Sequence, residues 1–450
     1  MHAILTPVGS QGDVNPFIVV GRELRRRGHR VTIVAPEVFS GVASNAGLGF
    51  ASDGTVEEYE RITNDPDLWH PRRGLAVALG AVTSQMQRAY GVVERVYEPG
   101  ESILIGHPLS VFTRVFEEMH RAPAVTVHLA PGIFRSDFGQ PAMPSGDDIS
   151  AWPAWIKQAL WWAVDRFVID PRVAPALNAW RAELGLPPVS RVFKSWIHSP
   201  QRVIGLFPDW FGPPQPDWPR ELRLAGFVLS DESCAPGGLP LGTSAGSSGA
   251  GSRAVGSPPA SRRDGLEEFL ATGDPPVVFT PGSANRQAAA FFRTAVDATA
   301  LLGRRALLVT GYPEHVPAPL PAHAHHAGYA PFATLFPRAA AVVHHGGIGT
   351  VAQALAAGAP QLLMPMGFDQ PDNALRTKRL GVGEAIYPQK FTAERVAAAL
   401  GRLLASAEVS SACRRCRERI DGTASLRHAC DLIEQHYGAL QDHARPSTMH

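Results

Sequence analysis

Apolar residues along this chain fall into two kinds of stretch that alternate. Short runs with hardly a polar interruption lie at 2–7, 29–35, 102–105 and 124–128, and again at 277–280, 305–310, 341–344 and 361–364. Between them, 17–27, 75–97, 288–302 and 393–404 space their apolar side chains three or four apart, the period of a helix with one buried face. In 17–27 the buried face is Phe17, Val20 and Leu24; Arg25, Arg26 and Arg27 stand at the negative end of the dipole, and Gly28 stops the helix. A strand that is apolar on both sides, followed by an amphipathic helix and another such strand, is the unit of a parallel sheet covered on both faces. The pattern occurs twice, so the chain is expected to be α/β with two parallel-sheet domains facing across a cleft.

The two arrays are separated by 233–260, which is dominated by Gly, Ser, Ala and Pro and holds almost no large apolar side chain to offset the entropy of ordering it. The expected organisation is therefore an N-terminal domain at 1–232, a flexible linker or insertion at 233–263, a second domain at 264–422, and a C-terminal helix and tail at 423–450. The polar segment 52–73 reads as a surface loop with short helices. Residues 152–167 carry Trp152, Trp155, Trp161 and Trp162 with Ile156, Leu160, Val164 and Phe167 at helical spacing. Core packing, the lining of a greasy substrate site and an interfacial helix all remain open for this tract; Lys157, Asp165 and Arg166 make a thin charge complement for a basic membrane face.

One turn carries candidate chemistry. After the strand ending at His344 come His345, Gly346, Gly347, Ile348, Gly349 and Thr350, then a helical stretch and a further apolar strand. Glycines there let a ligand approach the backbone, and the helix start presents unpaired N–H groups and the positive end of a dipole, an arrangement suited to a diphosphate. A ligand-free tight turn has the same composition. The next strand ends in 366–373, where Asp369, Gln370 and Asn373 can meet hydroxyl groups, and in parallel sheets both loops fall at the carboxyl ends of strands, where ligands sit. Gly9-x-x-Gly12 after the first strand lacks the spacing of a dinucleotide fingerprint. His107 and His128 each follow an apolar strand and read either as crevice residues or as satisfied core histidines.

Composition narrows the partners. With 42 basic and 41 acidic residues the net charge is +1, so no overall field draws the chain to nucleic acid. At 45% hydrophobic it has the apolar content for two substantial cores. Four cysteines suggest reduced thiols in a cytoplasm; Cys413 and Cys416 form C-x-x-C in a charged helical stretch without a second pair. The first strand begins almost at the first residue and no apolar run reaches about 18 residues, so neither a cleavable export signal nor a membrane anchor is expected.

His345-x-Gly347 with Thr350, then Asp369-Gln370 and Asn373, resembles the donor-binding signature of nucleotide-sugar glycosyltransferases with two Rossmann-like domains, the GT-B fold. The resemblance implies that His345, Gly347, Gly349 and Thr350 hold a diphosphate and that Asp369, Gln370 and Asn373 bind sugar hydroxyls. Ser283 matches a phosphate-contacting serine, and Tyr329 with Ala330 stands where relatives place an aromatic ring against the nucleobase; Phe332 departs from the glutamine of plant enzymes. Gly9-Ser10-x-Gly12-Asp13-x-x-Pro16 is similar to the opening of bacterial and fungal enzymes that glycosylate sterols and antibiotic aglycones, which implies that Asp13 is the base. A helix N-terminal acid favoured by the dipole is the other reading of Asp13. Residues 1–5, 191–200, 205–211 and 217–219 are closely similar to the rhamnosyltransferases of bacterial rhamnolipid synthesis, with the 233–260 insertion as the main departure.

That resemblance implies an inverting, metal-independent transfer of L-rhamnose from dTDP-L-rhamnose, a co-substrate rather than a cofactor, to the hydroxyl of a 3-(3-hydroxyalkanoyloxy)alkanoic acid, making mono-rhamnolipid. Gly12, His107, Trp152, Trp155 and Trp161 are the acceptor-side candidates. A glycosyltransferase of a sterol or polyketide, an NAD-dependent dehydrogenase suggested by the opening β-α-β and Glu37, and a non-catalytic lipid or nucleotide-sugar binder stay as rivals. The expected location is cytoplasmic, with contact to the inner membrane or to a partner that delivers the acceptor left open.

Overall fold

The computed structural model describes residues 1–70, 73–139, 147–229, 261–283, 285 and 288–444. Of the linker expected at 233–263, residues 233–260 lie outside them, and 261–263 belong to the helix Ser261–Ala271. The chain forms two compact units. Unit 1 contains Met1–Ser233, Gly367–Asp372 and Asp421–His450; unit 2 contains Cys234–Met366 and Asn373–Ile420.

Unit 1 is built on a parallel sheet of β1 (His2–Thr6), β2 (Arg30–Ala35), β3 (Gly49–Ser52), β4 (Ser102–Gly106), β5 (Ala124–His128), β6 (Val203–Gly205) and β7 (Leu222–Leu224). Their order is β3-β2-β1-β4-β5-β6-β7, so the direction of winding reverses between β1 and β4. Every residue of β1, β4 and β5 is buried, which is why these strands read as unbroken apolar runs. The helix after β1 runs Gln11–Arg26, six residues earlier than its apolar period alone indicates, and it takes in Pro16. Gly12 and Pro16 look like loop residues in sequence. Gly12 falls in the first turn, where N–H groups lack an intrahelical partner, whereas Pro16 is the sixth residue and cannot donate to the carbonyl of Gly12, a bond the helix does without.

Segment 52–73 contains the helix Val56–Thr63, capped reciprocally by Thr55 Oγ1 accepting from Glu58 N–H (3.2 Å) and Glu58 Oε2 accepting from Thr55 N–H (3.0 Å). The terminal helix Gly422–Ala444 departs from expectation. It is expected as a separate C-terminal helix and tail after the second domain, and it groups with unit 1. Arg27, at the negative end of the helix Gln11–Arg26, donates to Asp431 and Glu434 at 2.6 Å each, and Tyr437 Oη donates to Gly100 O at 2.8 Å. The loop Gly367–Asp372, expected within 264–422, also groups with unit 1.

Unit 2 carries β8 (Val277–Thr280), β9 (Ala306–Val309), β10 (Ala324–Ala327), β11 (Ala341–His344), β12 (Gln361–Leu363) and β13 (Gly383–Ala385) in the order β10-β9-β8-β11-β12-β13, all neighbours parallel. Successive residues alternate between the two covering layers. Val277, Phe279, Leu308, Ala341 and Val343 pack in one core, and Val278, Leu307, Val309 and Val342 in the other. The winding reverses between β8 and β11, whose register pairs Thr280 with His344. That register sets the loop after β8 beside the loop after β11.

Candidate functional site

The turn after β11 is assembled from the inside outward. His344 is fully buried; its Nδ1 accepts from Gly346 N–H at 3.1 Å, so its proton sits on Nε2 and is donated to Gln361 Oε1 at 3.0 Å. Burial drops this imidazole to about 3, and it stays neutral. Gly346 has φ +95°, which L side chains rarely adopt, and its carbonyl accepts from Asn373 Nδ2 at 2.9 Å. The helix Ile348–Ala357 then begins, with Gly347 as the capping residue and Gly358 ending it in the left-handed region. The N–H groups of its first turn have no acceptor within the helix and no side-chain cap, and Gly349 and Thr350 there are half-buried, while Ile348, Val351, Ala352 and Leu355 are buried.

His345 projects from this turn into a slot between two glycines. A Cβ on Gly282, in the loop after β8, would lie 2.7 Å from His345 Cε1, and one on Gly347 would lie 2.5 Å from Nε2. Burial lowers the imidazole to about 4, so it too is neutral, and its Nδ1 has no hydrogen-bond partner among the described residues. A neutral ring with one N–H, beside free helix amides, is a donor array for an anion.

The remaining expected donor residues are placed unevenly. Gly349 and Thr350 are half-buried in the first helical turn, Ser283 is exposed next to Gly282, Tyr329 is exposed after β10, and Ala330 is buried. Asn373, expected to meet sugar hydroxyls, is fully buried, and its Nδ2 donates to the carbonyl of Gly346. Gln370 is buried and its Oε1 is 3.4 Å from Gly367 N, whereas Asp369 is half-buried. In the same loop Phe368 has φ +58° and meets Trp69 edge to face at 5.6 Å.

In unit 1, Asp13 occupies the first turn of the helix Gln11–Arg26, next to exposed Gly12. Its Oδ2 accepts from Ser10 N–H at 2.7 Å and Ser10 Oγ–H at 3.0 Å, so the helix-terminal role is realised by one oxygen. Gly9, at φ +131°, makes room, since a methyl there would overlap Oδ2. Burial nevertheless raises the pKa of the carboxyl, outweighing the bonds from Ser10. His107 follows β4 across the winding reversal from β1, meets Phe17 edge-on at 6.3 Å, and is pushed down to about 3 by burial. His128 is a core histidine, with Nε2 3.0 Å from His198 Nδ1 and its ring against Phe134. The tryptophan tract divides: Trp161 is buried beneath Arg135, while Trp152 and Trp155 are exposed and line no core.

Sequence reading passed over Gly282, His344 and Gln361. Gly282 sits one residue before an expected contact, and only the register of β8 with β11 reveals that it faces a histidine. Among the described residues, no group of three or more His, Cys, Asp or Glu is placed to hold a metal ion.

Residues 312–425 match the model of the erythromycin biosynthesis protein CIII-like C-terminal domain, a span containing the β11 turn. The chain is 32% identical to O-mycaminosyltylonolide 6-deoxyallosyltransferase of Streptomyces fradiae, over 97% of each chain. In structure it is similar to the kitacinnamycin glycosyltransferase (TM-score 0.69, 19% identity, 97% of this chain and 99% of that one). It is also similar to the spinosyn rhamnosyltransferase SpnG complexed with thymidine diphosphate (TM-score 0.61, 18% identity, 99% and 100%). The likeness is to glycosyltransferases and not to dehydrogenases. The glycine-cradled histidine, the two parallel sheets and the full-length likeness together identify the chain as belonging to the GT-B nucleotide-sugar glycosyltransferases of the erythromycin biosynthesis protein CIII-like family.

Proposed function

We propose that this chain transfers a deoxyhexose from a thymidine-diphosphate sugar to the hydroxyl of an apolar acceptor, with inversion. The observation that carries the reading is the His345 slot: a neutral imidazole with an unpartnered Nδ1, set between Gly282 and Gly347 at a helix start. Asp13 takes the proton of the acceptor hydroxyl, and that oxygen bonds to the anomeric carbon. The bond from that carbon to the diphosphate oxygen breaks, and the diphosphate leaves with the electron pair. Helix amides at Ile348–Thr350 and the ring of His345 stabilise the charge as it grows. A raised pKa suits a base that must accept a proton near neutral pH.

A polyketide-type aglycone is the acceptor class favoured by the relatives, which include a tylonolide and a spinosyn enzyme. A second reading, L-rhamnose onto a 3-(3-hydroxyalkanoyloxy)alkanoic acid, rests on the resemblance of 191–200, 205–211 and 217–219 to the rhamnosyltransferases of rhamnolipid synthesis. The deciding experiment pairs dTDP-L-rhamnose, another dTDP-deoxyhexose and UDP-glucose with a macrolactone aglycone and with the hydroxyalkanoyloxyalkanoate. Products are read by mass spectrometry and their anomeric configuration by NMR. Turnover with UDP-glucose alone, or a retained anomeric configuration, sinks the proposal.

A further inference from the structure

The helical run through the tryptophan tract is continuous: Ala154–Val164, the π-turn Asp165–Ile169, then Asp170–Glu183. One side is built into unit 1. Trp161 lies under the Arg135 guanidinium, 5.1 Å from its carbon to the ring centroid; Lys157 Nζ donates to the carbonyls of Phe138 (2.9 Å) and Ser150 (3.3 Å); and buried Asp165 pairs with Arg135. The opposite side has no such partners in the core. Trp152, Trp155, Trp162 and Phe167 are 46%, 69%, 55% and 62% exposed, and Val168 and Phe138 add 36% and 55%. Trp162 and Phe167 meet edge to face at 5.7 Å. Single exposed apolar residues are ordinary, but this concentration on and beside one helical run calls for something to cover it.

The charges around the face indicate what that is. Arg166 lies over the Phe167 ring at 5.6 Å; six residues on, exposed Arg172 donates to the carbonyl of Val168; Arg191, half exposed, pairs with Asp165 at 3.5 Å. The carboxylates near this end are engaged: Asp165 by Arg135, and Asp170 by the N–H groups of Arg191 (2.7 Å) and Val192 (3.1 Å). Toward the other end stand exposed Asp147 and Asp148, which precede Trp152, and half-buried Asp137, which accepts from Gln158 at 3.0 Å; exposed Glu183 closes the run, about three turns beyond Arg172. On the helical run the exposed aromatic rings, Trp155 to Phe167, therefore extend for about 18 Å at 1.5 Å per residue, with the exposed guanidiniums of Arg166 and Arg172 at one end. Indoles combine an apolar ring with an N–H donor and settle at head-group depth, and guanidiniums pair with phosphates.

We infer that this face docks on the surface of an anionic lipid bilayer, with the helix axis in the membrane plane, the aromatic rings at the head groups and Arg166 and Arg172 on lipid phosphates. Docking does not amount to spanning: among the described residues no single helix is long and apolar enough to cross a membrane. The inference stands on the exposed face and does not depend on which acceptor is glycosylated.

The test is co-flotation of the full chain with vesicles of phosphatidylcholine alone and of phosphatidylcholine with phosphatidylglycerol. Wild-type protein should float with the anionic vesicles. The W155S/W162S/F167S variant should lose at least about tenfold in partitioning, and R166E/R172E should lose binding on anionic vesicles. Both should bind dTDP as wild type does. Should the aromatic variant misfold, quenching of wild-type tryptophan emission by bromolipids in the bilayer decides in its place. A wild type that stays in the aqueous fraction, an aromatic variant that floats equally well, or a wild-type dimer that the aromatic variant turns into monomer overturns the inference.

Discussion

Gly282 and His345 stand so close that only a hydrogen fits between them: a methyl on Gly282 would lie within 2.7–2.9 Å of three atoms of the imidazole ring. Gly282 also has φ +93°, so any side chain there strains the backbone as well. G282A is expected to displace the ring and to weaken dTDP binding at least about tenfold, the equivalent of losing one hydrogen bond to a charged group. Gly303 isolates the backbone effect. It has φ +63° with nothing within 4 Å of an added Cβ, so G303A should cost about 1 kcal/mol of stability and leave nucleotide affinity unchanged. Titration calorimetry and denaturant melts on the pair check both halves.

Replacing His345 by alanine removes the donor without disturbing the glycines. Affinity for dTDP should fall by about 10- to 100-fold, with the melting temperature nearly unchanged. The imidazole of the free protein, held at about 4, is neutral from pH 5.5 to 8, so the loss should be present across that whole range. Calorimetry at three pH values tests this, and undiminished binding in the variant would remove His345 from the site.

Asp13 is predicted to separate activity from stability. D13N should lower kcat by about 10²- to 10⁴-fold while leaving dTDP affinity in place, since Asn can still accept from Ser10. The raised pKa has a definite sign. A carboxyl whose folded pKa lies above its unfolded value favours folding most when protonated, and that contribution is lost as pH rises through the folded pKa. At neutral pH D13N should therefore be no less stable than wild type. Wild-type activity should decline as pH falls through the same raised value, a limb that lies above the ordinary Asp range. Paired pH profiles of rate and of unfolding free energy measure both.

Asn373 should behave as a support for the turn. N373A leaves the buried carbonyl of Gly346 without its donor, so a cost of about 1–3 kcal/mol in stability is expected, together with weaker dTDP binding. The sugar contact suggested by its motif would give a different result, a higher KM for the sugar nucleotide with unchanged affinity for dTDP. Comparing the two ligands on one variant separates the alternatives.

Much of this molecule was legible in the order of its residues. Strands buried on both sides must be apolar throughout, and the helices between them must bury one face, so two parallel-sheet arrays followed from the pattern of 2–35 and 277–310 alone. The glycine turn at 346–349 was legible for a related reason: a backbone that takes φ +95° and lets a ligand approach closely leaves few residues but glycine. Tertiary structure decided what local pattern does not encode. The β8–β11 register set Gly282 against His345, and burial made Asn373 a fastener of the backbone. Arg27 met Asp431 and Glu434, which drew the last helix onto unit 1. Only packing showed that one tryptophan of the 152–167 tract is core and three are surface. Secondary structure follows from spacing within a few residues, whereas these relationships join side chains far apart in the chain, and their geometry exists only once the sheets have formed.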